Sequence, residues 1–248
     1  MEKDMQNYSY AKTVKICGME EEEVQENIRD LLTMDEKTVF MFHSSPGEVD
    51  ICIQSCSEQE DEAKSRVKGI VRELKIRLGS CIFTTNSKVT LAETIVQLLK
   101  EQKMTITTVE SCTGGMVSAR LTDVAGVSEV FKQGFVTYSN KAKRKLIGVK
   151  KMTLKKYTAV SEQTAWEMAR GGAVLTAADV CISVTGYAGP ESPDDTEPVG
   201  LVYIGCNVKG KIEVKEFHFT GDRKTIRELA TVHALTLLRS CILKNYQL

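Results

Sequence analysis

Only three histidines occur in 248 residues, His43, His218 and His233, and none sits in a recognised motif. His218 lies in a Phe-His-Phe alternation that places it on the solvent side of a strand. His233 reads as a surface or half-buried helical residue and His43 as a loop residue. A Ser–His–Asp triad is thereby disfavoured, because that chemistry needs an imidazole held between nucleophile and carboxylate. Zinc is disfavoured too: the 8 cysteines form no C-x-x-C pair, and the histidines lie far from any paired cysteines. The chain has no signal-like N-terminus, so its thiols read as unpaired in a reducing cytoplasm. No apolar run is long enough to cross a bilayer; the most apolar stretch, Gly171 to Pro190, is interrupted by Asp179 and ends in turn residues. Net charge is missing as well, at +0, although its distribution is uneven. Residues 1–86 carry 11 basic and 17 acidic side chains, a balance of −6, and residues 87–248 carry 22 and 16, a balance of +6. The acidic half is a poor nucleic-acid binder. The mildly basic half suits a phosphorylated small molecule, though ordinary surfaces carry such an excess too.

What is present concentrates at one place. The β-favouring residues Thr105 to Val109 run into Glu110-Ser-Cys-Thr-Gly-Gly115, and helix-forming sequence follows to Leu121. A strand that turns abruptly into a helix at hydroxyls and paired glycines can mount chemistry: glycine admits a ligand to the backbone, and free amides attract an anion. Equally, Ser111 or Thr113 could serve only as the cap of a helix beginning near Gly114.

Further segments carry a family resemblance. The string Glu110-Ser-Cys-Thr-Gly-Gly115 is followed by Arg120-Leu-Thr-Asp-Val-Ala-Gly126 and Tyr138-Ser-Asn-Lys-Ala-Lys143. Then come Ala159-Val-Ser-Glu162, Val184-Thr-Gly-Tyr-Ala-Gly-Pro190, Pro198-Val-Gly200 and Thr220-Gly-Asp-Arg223. In this order, over roughly residues 88 to 245, the chain resembles the C-terminal domain of the competence/damage-inducible CinA family. The resemblance implies a nicotinamide-nucleotide amidohydrolase, which converts nicotinamide mononucleotide to nicotinate mononucleotide and ammonia without a cofactor. It also implies a homodimer. Any link to competence or DNA damage rests on the family name alone.

Amide hydrolysis needs an activated nucleophile, a proton donor for ammonia and donors for the oxyanion. With histidine set aside, serine with lysine remains. Ser111 is the expected nucleophile. Lys143, rather than Lys141, matches the family's Y-S-N-x-x-K pattern and is the expected base, with Tyr138 relaying the proton or orienting the amine. Lowering a lysine from ~10.4 to roughly 7 demands ~4 kcal/mol, which partial burial and neighbouring charge can supply. Without the motif, the same lysines would read as one basic solvated helix. Cys112 could gain reactivity beside a helix start, but its position fits a packed turn residue. Glu110 could orient Lys143, receive a ribose hydroxyl, or be a surface carboxylate. For the phosphate, the candidates are the amides of Thr113, Gly114 and Gly115 and the guanidinium of Arg223. The alternative reading has Asp222 cap the terminal helix and pair with Arg223. Asn140, Thr185, Gly186 and Gly189 complete the expected pocket lining.

One departure from the family stands out. Glu191-Ser-Pro-Asp-Asp-Thr-Glu197 has no glycine and four carboxylates where the family usually has a glycine-rich loop, often with a lysine. Altered or lost activity is the consequence to test, and the alternative function is a non-catalytic nucleotide-binding or regulatory protein. A third, weaker reading takes Lys141 to Lys156 as a nucleic-acid patch.

The expected architecture has two parts. Residues 1–86 read as a small α+β domain of β-α-β-β-α-β order: strands at 11–17, 38–42, 49–53 and 81–84, helices at 19–32 and 58–78. That order is similar to the family's KH-like linker domain. It lacks the Gly-x-x-Gly loop of nucleic-acid-binding KH modules, so a spacer or dimerisation role is expected. The additional N-terminal domain of full-length relatives finds no room here. Residues 87–248 read as a three-layer α/β/α domain with a mixed sheet, because strands alternate with helices and one hairpin turns near Lys209-Gly210.

Overall fold

The computed structural model describes residues 8–191 and 198–246. The chain divides after Val89 into two compact units.

In the first unit the elements are β1 (Tyr8–Cys17), α1 (Glu21–Asn27), α2 (Arg29–Leu32), β2 (Thr38–Ser45), β3 (Glu48–Ser57), α3 (Glu60–Leu78) and β4 (Ile82–Thr84). Alternation decides which face of β3 is buried: Val49, Ile51, Ile53, Ser55 and Ser57 all point inward. Above them α3 sets Ala63, Val67, Ile70, Leu74 and Leu78 along one helical stripe. The sheet order is β2-β3-β1-β4, and every pairing is antiparallel. Two local expectations change. The first helix is broken at Ile28 (φ −122°, ψ 13°), giving α1 and α2 in place of one span over 19–32. The β2–β3 turn shrinks to Pro46-Gly47, with Gly47 at φ 76°, so His43 is an exposed strand residue and not a loop residue.

The second unit opens with α4 (Leu91–Glu101), which starts at a capping box: Thr90 Oγ1 accepts from the Glu93 amide, and the Glu93 carboxylate accepts from the Thr90 amide. It continues with β5 (Ile106–Glu110), α5 (Met116–Thr122), β6 (Phe131–Val136), α6 (Asn140–Ile147) and α7 (Lys151–Tyr157). After these come α8 (Glu162–Thr176), β7 (Val180–Gly186), β8 (Leu201–Val208), β9 (Lys211–His218) and α9 (Arg223–Tyr246). The sheet order is β6-β5-β7-β8-β9, with β5 parallel to β6 and β7, and β8 and β9 added antiparallel. Helix α8 packs on β5, β7 and β8 with α6 and α7 against it, while α9 packs on β7 and β8 with α4 and α5 against it. This is a three-layer α/β/α fold with a mixed sheet.

Strand β5 is buried along its whole length between two parallel neighbours, which accounts for its apolar and threonine-rich sequence. Its last residue, Glu110, is level with Val136 of β6 and Val184 of β7. The residues just after the carboxyl ends of three parallel strands therefore meet at one edge of the sheet, where α/β folds place their ligands. Helix α7 was not expected from the sequence. Helix α5 begins at Met116, two residues later than expected, because Gly114 (φ 62°) and Gly115 (φ 102°) both adopt left-handed conformations.

Candidate active site

The turn after β5 and the first turns of α6 bring Ser111 and Lys143 into contact. Lys143 Nζ donates to Ser111 Oγ at 2.9 Å and to the Thr137 carbonyl at 2.9 Å. Helix α6 is aimed by Ser139, whose side chain accepts from the Ala142 amide as its N-cap. Lys143 lies one turn further on and is 1% exposed, although its neighbours Lys141, Arg144 and Lys145 carry the exposed face of the same helix. Among the described residues no carboxylate pairs with it. Burial without a counter-ion pulls its pKa down from 10.5 to about 8. At that value about a tenth of the molecules hold a neutral amine at pH 7. A neutral amine 2.9 Å from a hydroxyl can take its proton, so the pair has the contact and the chemistry of a nucleophile with its base.

Ser111 is 8% exposed, and its amide donates to the Val184 carbonyl, so β7 anchors the turn. Cys112 beside it is inert: burial pushes the thiol up to about 12. The amides of Cys112 and Thr113 donate to no acceptor among the described residues. The buried Thr113 hydroxyl has no hydrogen-bond partner among the described residues.

Glu110 has a structural assignment. It is 0% exposed, and its carboxylate accepts from the amides of Gly115 (2.8 Å), Val117 (3.1 Å) and Ser118 (2.9 Å) and from Ser118 Oγ (2.6 Å). The start of α5 is thus occupied by an anion from its own chain. Three expectations are corrected by this. Glu110 has no acceptor capacity left for Lys143 or a ribose hydroxyl. Neither Ser111 nor Thr113 caps α5. The Gly115 amide is taken by Glu110 and the Gly114 amide by the Ser111 carbonyl at 3.1 Å, so neither is open to a phosphate.

Tyr138 is 61% exposed, and its hydroxyl accepts from Arg223 at 2.9 Å. The amine's orientation comes from the Thr137 carbonyl, one residue earlier, which sequence reasoning could not single out because any residue type supplies it. Arg223 also donates to the Gly189 carbonyl at 2.6 Å, so Tyr138, Gly189 and Arg223 form one hydrogen-bonded group. Asp222 caps α9 through the Thr225 amide at 2.8 Å and makes no ion pair with Arg223. Asn140 is exposed at the start of α6. Thr185 Oγ1 donates to the Ala159 carbonyl at 2.7 Å. Gly186 is required by packing: a Cβ there would come within 2.6 Å of Val202 Cγ2. Residues 192–197 of the carboxylate-rich loop lie outside the described residues.

Residues 88–242 match the family described as the CinA C-terminal domain, and residues 11–84 match the KH domain of the damage-inducible protein CinA. This chain belongs to the CinA family. CinA-like proteins of Kosmotoga olearia and Dictyoglomus turgidum are 40% and 39% identical to it over 234 residues, which is 94% of this chain and 57% of each relative. The chain thus spans a little under three-fifths of their length. Crystal structures of CinA superfamily proteins from Klebsiella pneumoniae (36% identity, TM-score 0.61) and Escherichia coli (34%, 0.58) are similar to it. They cover 62% and 65% of this chain, and 96% and 97% of those chains are matched.

The remaining expected residues of this CinA-family chain stay away from the site chemistry. His218 is exposed and bonded to Glu216 at 2.7 Å, and half-buried His233 packs against the stacked rings of Phe217 and Phe219, each 5.0 Å away. None of the eight cysteines forms a disulfide among the described residues. Among the described residues no group of three His, Cys, Asp or Glu could hold a metal, and no helix is long and apolar enough to cross a membrane. The run Lys141 to Lys156 is no continuous cationic patch, since Lys143 is buried and Lys150 faces Glu167. Sequence reasoning also missed Arg227, which donates to the Cys112 carbonyl at 3.0 Å and to the Thr113 carbonyl at 2.9 Å.

Proposed function

We propose that the second unit is an amidohydrolase that deamidates nicotinamide mononucleotide to nicotinate mononucleotide and ammonia. The observation that carries this reading is the 2.9 Å contact between Ser111 Oγ and a buried, counter-ion-free Lys143 Nζ. With the amine neutral, Ser111 Oγ attacks the carboxamide carbon and its proton passes to Nζ. The ammonium then returns that proton to the leaving nitrogen, which departs as ammonia and leaves an acyl ester on Ser111. Water, deprotonated by the same amine, cleaves the ester to the carboxylate and restores the hydroxyl. The amides of Cys112 and Thr113, which donate to no acceptor among the described residues, are the donors that a developing oxyanion would engage. The phosphate falls to Arg223, in exchange for one of its present bonds to Gly189 or Tyr138.

Ammonia release from purified protein and nicotinamide mononucleotide tests the reading. Turnover that exceeds a Ser111→Ala control supports it, and equal rates refute it. A specific sequence feature favours a second reading, a nucleotide-binding regulator: the four carboxylates of Glu191–Glu197 would repel a phosphate. Thermal stabilisation by the nucleotide without turnover would select that reading. The homodimer belongs to the same proposal, and sedimentation velocity of the full chain tests it.

A further inference from the structure

The turn that presents Ser111 does not satisfy itself. It contains two successive left-handed glycines and a buried Thr113 hydroxyl with no partner among the described residues. Glu110 holds its far side, through the amides at the start of α5. The near side is held by Arg227, the fifth residue of α9. Its Nε donates to the Cys112 carbonyl at 3.0 Å and its NH2 to the Thr113 carbonyl at 2.9 Å. Among the described residues no carboxylate pairs with this half-buried guanidinium, whereas Glu228, the next residue on α9, pairs with Arg120 of α5 at 2.7 Å. The fork of Arg227 is thus committed to two consecutive peptides, and only a planar group with divergent N–H bonds can hold both. Gly114 is shaped to admit it: a Cβ there would lie 3.3 Å from Arg227 NH2. Because a trans peptide sets C=O and N–H on opposite edges, holding the Cys112 carbonyl turns the Thr113 amide away from Arg227.

We propose that Arg227 is a positioning residue for the serine nucleophile. By gripping the two carbonyls after Ser111 it fixes both the direction of Ser111 Oγ and the edge on which the Thr113 amide stands. This deepens the reading of Ser111 and Lys143 as nucleophile and base, and rests on it. A displacement of about 1 Å in such a constellation lowers the rate by about a hundredfold.

The test uses the full chain and two readouts. One is the rate at which a fluorophosphonate labels Ser111, located by peptide mass, which requires no particular substrate; the other is nicotinamide mononucleotide deamidation. Arg227→Ala and Arg227→Lys are compared with wild type well below their unfolding temperatures, and Lys serves if Ala fails to fold. The expected result is a tenfold to hundredfold drop in labelling and in kcat for both variants, with KM within about twofold, and partial recovery of Arg227→Ala by millimolar guanidinium. A merely structural role would give no rescue and no split between kcat and KM. Folded variants that label at the wild-type rate overturn the proposal and leave the Ser111–Lys143 reading standing. Wild-type labelling without nucleotide turnover refutes the substrate alone, and Arg227 is then judged on labelling. A wild-type protein that neither labels nor turns over refutes the nucleophile and Arg227 together.

Discussion

Replacing Lys143 with methionine should abolish turnover and yet leave the second unit at least as stable at pH 7. The folded pKa of about 8 lies below the ordinary 10.5, so below pH 8 the native protein holds an ammonium that it solvates poorly. Each pH unit between the two values is about 1.4 kcal/mol, which makes the penalty about 3 kcal/mol at neutral pH. The unfolded chain binds more protons between about pH 8 and 10.5. Stability of the wild type therefore rises with pH through that window, and the penalty fades. Methionine removes the charge while roughly matching the stem in volume. It also strands the buried Thr137 carbonyl, at a cost of about 1–3 kcal/mol. The net expectation at pH 7 is a variant equal to wild type or up to about 2 kcal/mol more stable. Between pH 7 and 10 the wild type should gain roughly 2–3 kcal/mol on it. Urea unfolding followed by Trp166 fluorescence measures this in the relevant unit, because Trp166 is the single tryptophan and lies in α8. A variant several kcal/mol less stable at pH 7, or a difference that stays flat from pH 7 to 10, would refute the argument.

Other perturbations separate the parts of the site. With Lys143 as base, kcat/KM should rise with pH and level off above about 8, and a pH–rate profile flat from 6 to 9 would remove the amine from the mechanism. Glu110→Gln should destabilise the second unit by about 2–4 kcal/mol, because an amide NH2 would face backbone donors that now share a carboxylate; unchanged urea unfolding would count against that assignment. His233→Phe should stabilise more at pH 5 than at pH 7. Burial against Phe217 and Phe219 pulls this imidazole down to about 4, so the unfolded chain binds the extra proton between about pH 6.5 and 4 and native stability falls with pH there. The gain at pH 5 should be about 2 kcal/mol larger than at pH 7, and equal gains would contradict it.

How legible the molecule was depends on how local each cause is. The alternation in β3, the capping box at Thr90, the Lys209-Gly210 hairpin and the strand–turn–helix at Ser111 are all set by neighbours a few residues apart. The break at Ile28 and the helix α7 were missed because nothing short-range in composition or periodicity marks them. Within the proposed site, Ser111 and Lys143, which the motifs singled out, lie in contact. Thr137 was not singled out, since it acts through its carbonyl. Glu110 was misjudged because a carboxylate beside a helix start looks alike whether it faces solvent or the helix.

The sequence by itself determined the family, the two-part architecture and the residue types able to do amide chemistry, because those follow from motif order and from local periodicity. Only the tertiary structure decided what each group faces. Parallel pairing of β5 with β6 and β7 brought Thr137 and Lys143 up to Ser111, the lysine from 32 residues away in the chain, and burial there removed the amine from water. The packing of α9 on α5 brought Arg227 to two carbonyls more than 110 residues away. Contacts across such separations depend on which faces are hidden together, and no short stretch of residues records that.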